Sequence, residues 1–470
     1  MQGMWGIVLA LVLLMALAYR GYSVLLLAPL CALVAVLCSG DVPLLASYTQ
    51  VFMPALGGFV VAFFPLFLLG AVFGRLMEAS GAALAIARGL ADRLGAGQAV
   101  LAVVAACAVL TYGGVSLFVV AFAVHPIAVA LFMRAGHSRR LIPATIALGA
   151  FTFTMTALPG TPAIQNAIPM PFFGTTPFAA PGLGLIGAVI MLAAGWAWIE
   201  WRVRRVRDEV EPADEGAAEA APAPLPGPAM SLGPALLPVL MVIVLNYLLS
   251  TWFWPAADTA YLAESRYGAT TLQAVRGVWS VIGALGVAIV LLIGLWWHAR
   301  RRLLPAQSLP LKAVLEEGAR ACVMPLMNTA SQVGFGAVIA SLAGFALIRE
   351  AVMGLSAENP LVSMSIAINL LAGMTGSASG GMSIALQTLG STWLEMAHAA
   401  GIAPELLHRV TAIATGGLDA LPHNGAVITL LGICGLTHRQ SYADIFMVAV
   451  VAPLLALAAV VTLGTLLGSF

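Results

Sequence analysis

Apolar runs of about 20 residues, the length a helix needs to cross a hydrocarbon core of ~30 Å, recur from Trp5 to the C-terminus. They predict spans near residues 4–19, 22–38, 51–74, 141–173 and 181–201, and again near 231–252, 276–298, 319–347, 408–436 and 443–468. The two-residue alternation of a membrane β-barrel is absent, so the spans are read as helices. One apolar segment in each half does not fit a single crossing. Residues 98–133 are flanked on both sides by arginines, Arg75, Arg88 and Arg93 before and Arg134, Arg139 and Arg140 after. Because positive charge marks the cytoplasmic side, the segment should enter and leave on that side as a re-entrant hairpin turning at Thr111 to Ser116. Residues 360–392 form the second such segment, turning at Thr375 to Gly381. The polar, then Ala/Pro-rich stretch 202–230 has too little apolar surface for a core and reads as a cytoplasmic linker.

The fold expected is an all-α polytopic membrane protein built of two repeats, 1–201 and 231–470, each with about five transmembrane helices, one hairpin and one proline-broken helix. Five crossings is an odd number, so the second repeat should be inverted. Three short matches keep the same order in both halves: GAV at Gly70 and Gly336, GGVSL and GGMSI at Gly113 and Gly380, and ALP at Ala157 and Ala420. Their separations are 266, 267 and 263 residues.

Composition narrows the class. With 61% hydrophobic residues, 9% charged ones and a mean hydropathy of +1.00, the chain is outside the range of water-soluble domains. The net charge of +1 carries no nucleic-acid signal. The first apolar run has no Lys or Arg before it, opposite to a signal peptide, which predicts a retained span with its N-terminus outside. Five cysteines, Cys31, Cys38, Cys107, Cys322 and Cys434, lie in apolar stretches without metal-ligand spacing and read as small core residues. No metal and no cofactor is expected.

Chemistry should gather where the spans break. ALPGTPAIQN (Ala157 to Asn166) and DALPHNGAV (Asp419 to Val427) each place proline inside a span, where it removes a backbone donor and disfavours helix for the residue before it. Two half-helix N-termini meeting two hairpin tips would form an anion site with no mid-membrane Lys or Arg. The candidate substrate-binding residues are Tyr112, Gly113, Gly114 and Ser116 at the first tip and Gly160, Thr161, Gln165 and Asn166 at the first break. Ser377, Ser379 and Gly380 at the second tip, and His423 and Asn424 at the second break, complete the set, with Ser383 close by. Asp419, His423 and His125 are the intramembrane ionisable groups read as proton-coupling candidates. His137, His298, His398, His408 and His438 fall near predicted span ends, where a solvated imidazole is expected.

Over TYGGVSLFVVAFAVHPIAVALF, FTFTMTALPGTPAIQNAIPMPFFGTTPFAAPGLG and MTGSASGGMSIAL, the chain resembles the gluconate permease (GntP-type gluconate:proton symporter) family of the ion-transporter superfamily. The resemblance implies a bacterial inner-membrane carrier, homodimeric, working by an elevator-type movement of paired inverted repeats. Two departures bear on the substrate. Gluconate permeases carry a Tyr-Glu pair at the first tip, where this chain has Tyr112 and Gly113. Their first break is richer in proline and includes a histidine, where this chain has Leu158, Pro159, Gly160 and Thr161. Both departures leave room for a smaller hydroxy acid such as 3-hydroxybutyrate. The resulting expectation is proton-coupled symport of a small organic anion, with the lipid bilayer as its surroundings and no nucleic-acid partner. Its rivals are a sodium-coupled carboxylate transporter, an intramembrane hydrolase using Ser377 or Ser379 with His423 as base, and a passive anion channel. The hydrolase lacks a GxSG, HExxH or GxGD motif.

Overall fold

A computed structural model describes residues 2–40, 42–206, 230–300, 310–354 and 359–470. Most of the expected linker, 207–229, lies outside the described residues, as do Arg301 and Arg302. Every regular element described is helical, as a backbone in lipid requires when it must satisfy its own N–H and C=O groups.

The first half runs α1 (Gln2–Tyr19), α2 (Val24–Ser39), α3 (Leu44–Ala79), α4 (Ala82–Leu94), α5 (Ala99–Tyr112), α6 (Leu117–Ala135), α7 (Ile142–Ala150), three short helical pieces and α8 (Pro181–Val206). In the second half the order is α9 (Leu232–Ala256), α10 (Leu272–Arg300), α11 (Leu311–Ser341), α12 (Phe345–Gly354), α13 (Pro360–Thr375), α14 (Ala378–Ala399), α15 (Pro404–Ala414), α16 (Gly425–Cys434) and α17 (His438–Leu467). Seven described helices are long and apolar enough to cross a membrane singly. One of the seven, α6, is an arm of the first hairpin, while α1, α2 and the two broken spans are shorter apolar segments that fall on the other expected crossings.

The same sequence of elements therefore occurs twice, and the short matches fall on equivalent places: Gly70 and Gly336 in α3 and α11, Ala157 and Ala420 at the breaks. Equivalent helices run antiparallel. Arg75 near the end of α3 donates through Nε to Glu317 near the start of α11 at 2.7 Å. A Cβ on Gly318 would lie 2.8 Å from the Val72 Cα, and one on Gly334 would lie 2.9 Å from the Phe52 carbonyl oxygen. Register thus runs backwards between the two helices, which is the geometry of inversion. The last helices repeat the relation: Arg202 of α8 pairs with Asp444 of α17 at 2.8 Å, while Gly182 donates to the Phe470 carbonyl at 2.9 Å.

The structure revises four sequence expectations. Both halves contain an amphipathic helix, α4 and α12, that was not expected because each is too short to register as a span. The expected span 319–347 begins eight residues earlier, at Leu311, where a charged first two turns extend the apolar run. The second tip is only Gly376 and Ser377, so Ser379 and Gly380 belong to the first turn of α14. Four cysteines are buried, but Cys38 is exposed at the end of α2.

Candidate functional site

Both expected breaks occur, and in each half the hairpin tip closes on the break of its own half. After α7 the chain makes a turn at Phe153–Thr156, loses helix at Ala157 and resumes it at Ile164–Ala167 and Pro169–Phe173. Gly160 has φ +82°, which favours glycine, and a Cβ there would lie 2.4 Å from the Phe178 ring. Side chains take up three consecutive carbonyls of the unwound stretch. The Tyr112 hydroxyl donates to Pro159 O at 2.6 Å, Asn246 Nδ2 of α9 donates to Gly160 O at 3.1 Å, and Asn166 Nδ2 donates to Thr161 O and Pro177 O, both at 3.0 Å.

A residue that sequence reading missed holds this region together. Arg409 on α15 is 0% exposed. Its Nε donates to Ala179 O at 3.0 Å, Nη1 to Thr156 O and Asn166 Oδ1, both at 3.2 Å, and Nη2 to Pro177 O at 3.2 Å and Ala179 O at 2.8 Å. A donor-only guanidinium fixes which end of the Asn166 amide faces it. His408 Nε2, 3.0 Å from the same Oδ1, therefore carries the hydrogen, and Nδ1 accepts from the Thr175 hydroxyl at 2.6 Å. Two expectations are corrected. His408 is fully buried rather than solvated, and a positive charge does lie at the first break. Among the described residues Arg409 forms no ion pair with a carboxylate; its charge meets only carbonyl and amide oxygens. The signal was Pro404: proline at the first helical position starts α15 early and carries Arg409 into the second turn.

The second break, from Thr415 to Asn424, is held differently. Asn424 caps α16, its Oδ1 accepting from Ala426 N at 2.6 Å and Val427 N at 3.3 Å, while Nδ2 donates to Asp419 O at 2.6 Å and Gly376 O at 3.0 Å. His423 Nε2 lies 3.0 Å from Gly373 O. Groups from the start of α17 take two more carbonyls, the Tyr442 hydroxyl at 3.2 Å from Ala420 O and His438 Nε2 at 2.9 Å from Pro422 O. Asp419 and His423 are both half-buried.

At the second tip the Ser377 hydroxyl accepts from Gly380 N at 3.1 Å, and in the first turn of α14 Ser379 shares a hydrogen bond with Thr329 of α11 at 3.2 Å. Gly380 leaves room for Gln332, whose Oε1 a Cβ would strike at 1.5 Å. The structure therefore gathers Tyr112, Gly160, Thr161 and Asn166 at one junction and Gly380, Ser377, His423 and Asn424 at the other. Gly113 and Gly114 face Val239 and Pro162, Ser116 is exposed at the start of α6, and His125 is half-buried one residue before Pro126 of α6. The piece Ile164–Ala167 packs on α14 and α16 packs on α6, so each broken span rests on the other half's hairpin. Among the described residues no three His, Cys, Asp or Glu come together as a metal site.

Broken crossings with paired hairpins define a class, the polytopic membrane transporters. The crystal structure of the Alcanivorax borkumensis YdaH transporter shares this fold, with a TM-score of 0.57 over 87% of each chain at 16% identity. The chain is 44% identical over 459 residues, 95% of each chain, to the uncharacterized transporter YxjC of Bacillus subtilis (strain 168), and it belongs to that transporter's family. No protein-family model matches the chain. These likenesses support transport, which points away from an enzyme; they do not extend to the gluconate permease family.

Proposed function

We propose that the chain is a proton-coupled symporter carrying a small organic anion, a hydroxy-monocarboxylate or gluconate-like acid, across the bacterial inner membrane as a homodimer with elevator-type movement. The observation that carries this reading is the pair of broken spans, each closed by its own hairpin tip, with the Arg409 charge unanswered by a carboxylate among the described residues. An anion nearby gains from that charge: at an effective dielectric constant of ~20 and about 8 Å, the attraction is roughly 2 kcal/mol. One such charge suits a monoanion better than a citrate-like trianion. Asp419 and His423 at the half-buried break are the groups assigned to the proton, with His125 next.

The decisive experiment is uptake of labelled acids by proteoliposomes under pH and sodium gradients imposed separately. Accumulation driven by an acid-outside gradient is the expected result; flux that never concentrates the acid would make the protein a channel. One observation favours sodium coupling as a second reading. Thr111 Oγ1, Gln165 Oε1 and Asn246 Oδ1, around the first tip and break, are buried oxygens without hydrogen-bond partners among the described residues. Such oxygens suit a hard cation, and uptake driven by sodium at constant pH would select that reading.

A further inference from the structure

We infer that the cleft between α3 and the second hairpin is the route by which substrate reaches the second tip, and that it selects a short hydroxy-monocarboxylate over a polyhydroxylated sugar acid. The inference rests on the transport reading above and narrows its substrate. The cleft holds about 390 Å³, within the range of small-molecule sites. Phe59 and Phe63 of α3, Phe172 beyond the first break and Val333 of α11 form its apolar walls. It lies on the part of α3 remote from Arg75, hence on the side opposite the arginines that mark the cytoplasm.

Polar character enters from one helix only. Ser379, Ser383 and Gln387 stand four residues apart on α14 and so share a face. Ser379, in the first turn of α14 beside the tip, is tied to Thr329. Gln387 is exposed at the cleft, and Ser383 between them lines it at 2% exposure, with no hydrogen-bond partner for its Oγ among the described residues. A polar stripe thus leads from the cleft to the tip along an apolar wall, and its middle member lacks the partner that burial demands. One substrate hydroxyl would supply it.

The same stripe limits what passes. A four-carbon hydroxy acid presents one hydroxyl to Ser383 and its alkyl carbons to the phenylalanines. A sugar acid brings several hydroxyls, and each one desolvated without a partner weakens binding by roughly five- to hundredfold. The amide of Asn166 offers no relief at the first break, since its oxygen and nitrogen are already committed to Arg409, His408 and two carbonyls.

The test is competition for uptake in proteoliposomes under a fixed acid-outside gradient, with 3-hydroxybutyrate, butyrate and gluconate as probes. Wild-type protein should take 3-hydroxybutyrate at least about tenfold more tightly than butyrate or gluconate, the equivalent of one satisfied hydroxyl. Ser383→Ala should bring the 3-hydroxybutyrate to butyrate ratio close to one while the butyrate constant stays put, a split that a folding defect does not produce. Gly58→Leu supplies an independent arm: Gly58 lines the cleft, and nothing lies within 4 Å of a Cβ added there. Leucine also favours helix over glycine. This variant should reach the membrane in normal yield and lose at least about tenfold in uptake of every acid, the loss expected when a side chain fills a binding volume. An unchanged ratio in Ser383→Ala, or unchanged uptake in Gly58→Leu, overturns the route. Gluconate carried as well as 3-hydroxybutyrate overturns the selectivity alone, whereas a wild-type protein that carries none of the three acids overturns the transport reading as well.

Discussion

The two broken spans solve one problem with different chemistry. Each unwinds at proline and must find donors for carbonyls that its helix no longer serves. At the first break the donors are a guanidinium and two amides, Arg409, Asn166 and Asn246, each 0% exposed, with the half-buried phenol of Tyr112 beside them. At the second they include two imidazoles and a phenol, His423, His438 and Tyr442, at half-buried or exposed positions beside Asp419. Arginine keeps its charge at any accessible pH, whereas imidazole and carboxylate exchange protons. The first break thus carries a fixed charge among fully buried amide donors, and the second carries groups of the kind that exchange protons.

The comparison breaks first at Arg409. Arg409→Met leaves Thr156 O, Pro177 O, Ala179 O and Asn166 Oδ1 short of a donor in a buried place. A loss of about 3–5 kcal/mol or more is expected, read as a collapse of folded yield and thermal midpoint in detergent. Arg409→Lys should not restore it, because three donors on one nitrogen do not span contacts that a planar fork reaches. Near-normal stability in either variant would remove the distinction between a rigid and a titratable break.

A smaller loss of about 2 kcal/mol is expected for Asn166→Ala, which strands two carbonyls and two donors that have partial substitutes in each other. The thermal midpoint should fall, but less than for Arg409→Met. An equal fall would place Asn166, rather than the guanidinium, at the centre of the network.

At the second break the expected effect lies in coupling more than in stability. Asp419→Asn and His423→Gln keep size and hydrogen-bonding capacity but cannot carry the proton in the same range. Both should reach the membrane and exchange labelled acid across sealed vesicles, and at least one should lose accumulation under an acid-outside gradient. Intact pH-driven accumulation in both would move the proton to His125. Tyr442→Phe is the mildest change, removing one hydrogen bond to Ala420 O. It should cost about 0.5–1.5 kcal/mol, and a larger loss would show the second break to be as rigidly built as the first.

Local signals made the crossings legible. Length of apolar run, arginines on both flanks of 98–133 and proline inside ALPGTPAIQN and DALPHNGAV each act within one helix of the chain, and hydrocarbon thickness turns them directly into spans, hairpins and breaks. The amphipathic α4 and α12 escaped because a helix of 10–13 residues lying beside a span has no length requirement to betray it.

What the sequence by itself determined is therefore an inventory: apolar helices of spanning length, two paired-helix turns, two interruptions, and an acid and a histidine beside the second. Only the tertiary structure decided which polar group serves which carbonyl. Arg409 and His408 stood at the expected edge of a span, and their partners Asn166, Thr175, Pro177 and Ala179 lie 230 or more residues away. The cleft beside Ser383 likewise draws its walls from α3, α11, α14 and the first broken span. A membrane selects helices segment by segment through the cost of unpaired backbone, but a buried charge is satisfied only by oxygens that folding brings to it, and no local pattern records where those will come from.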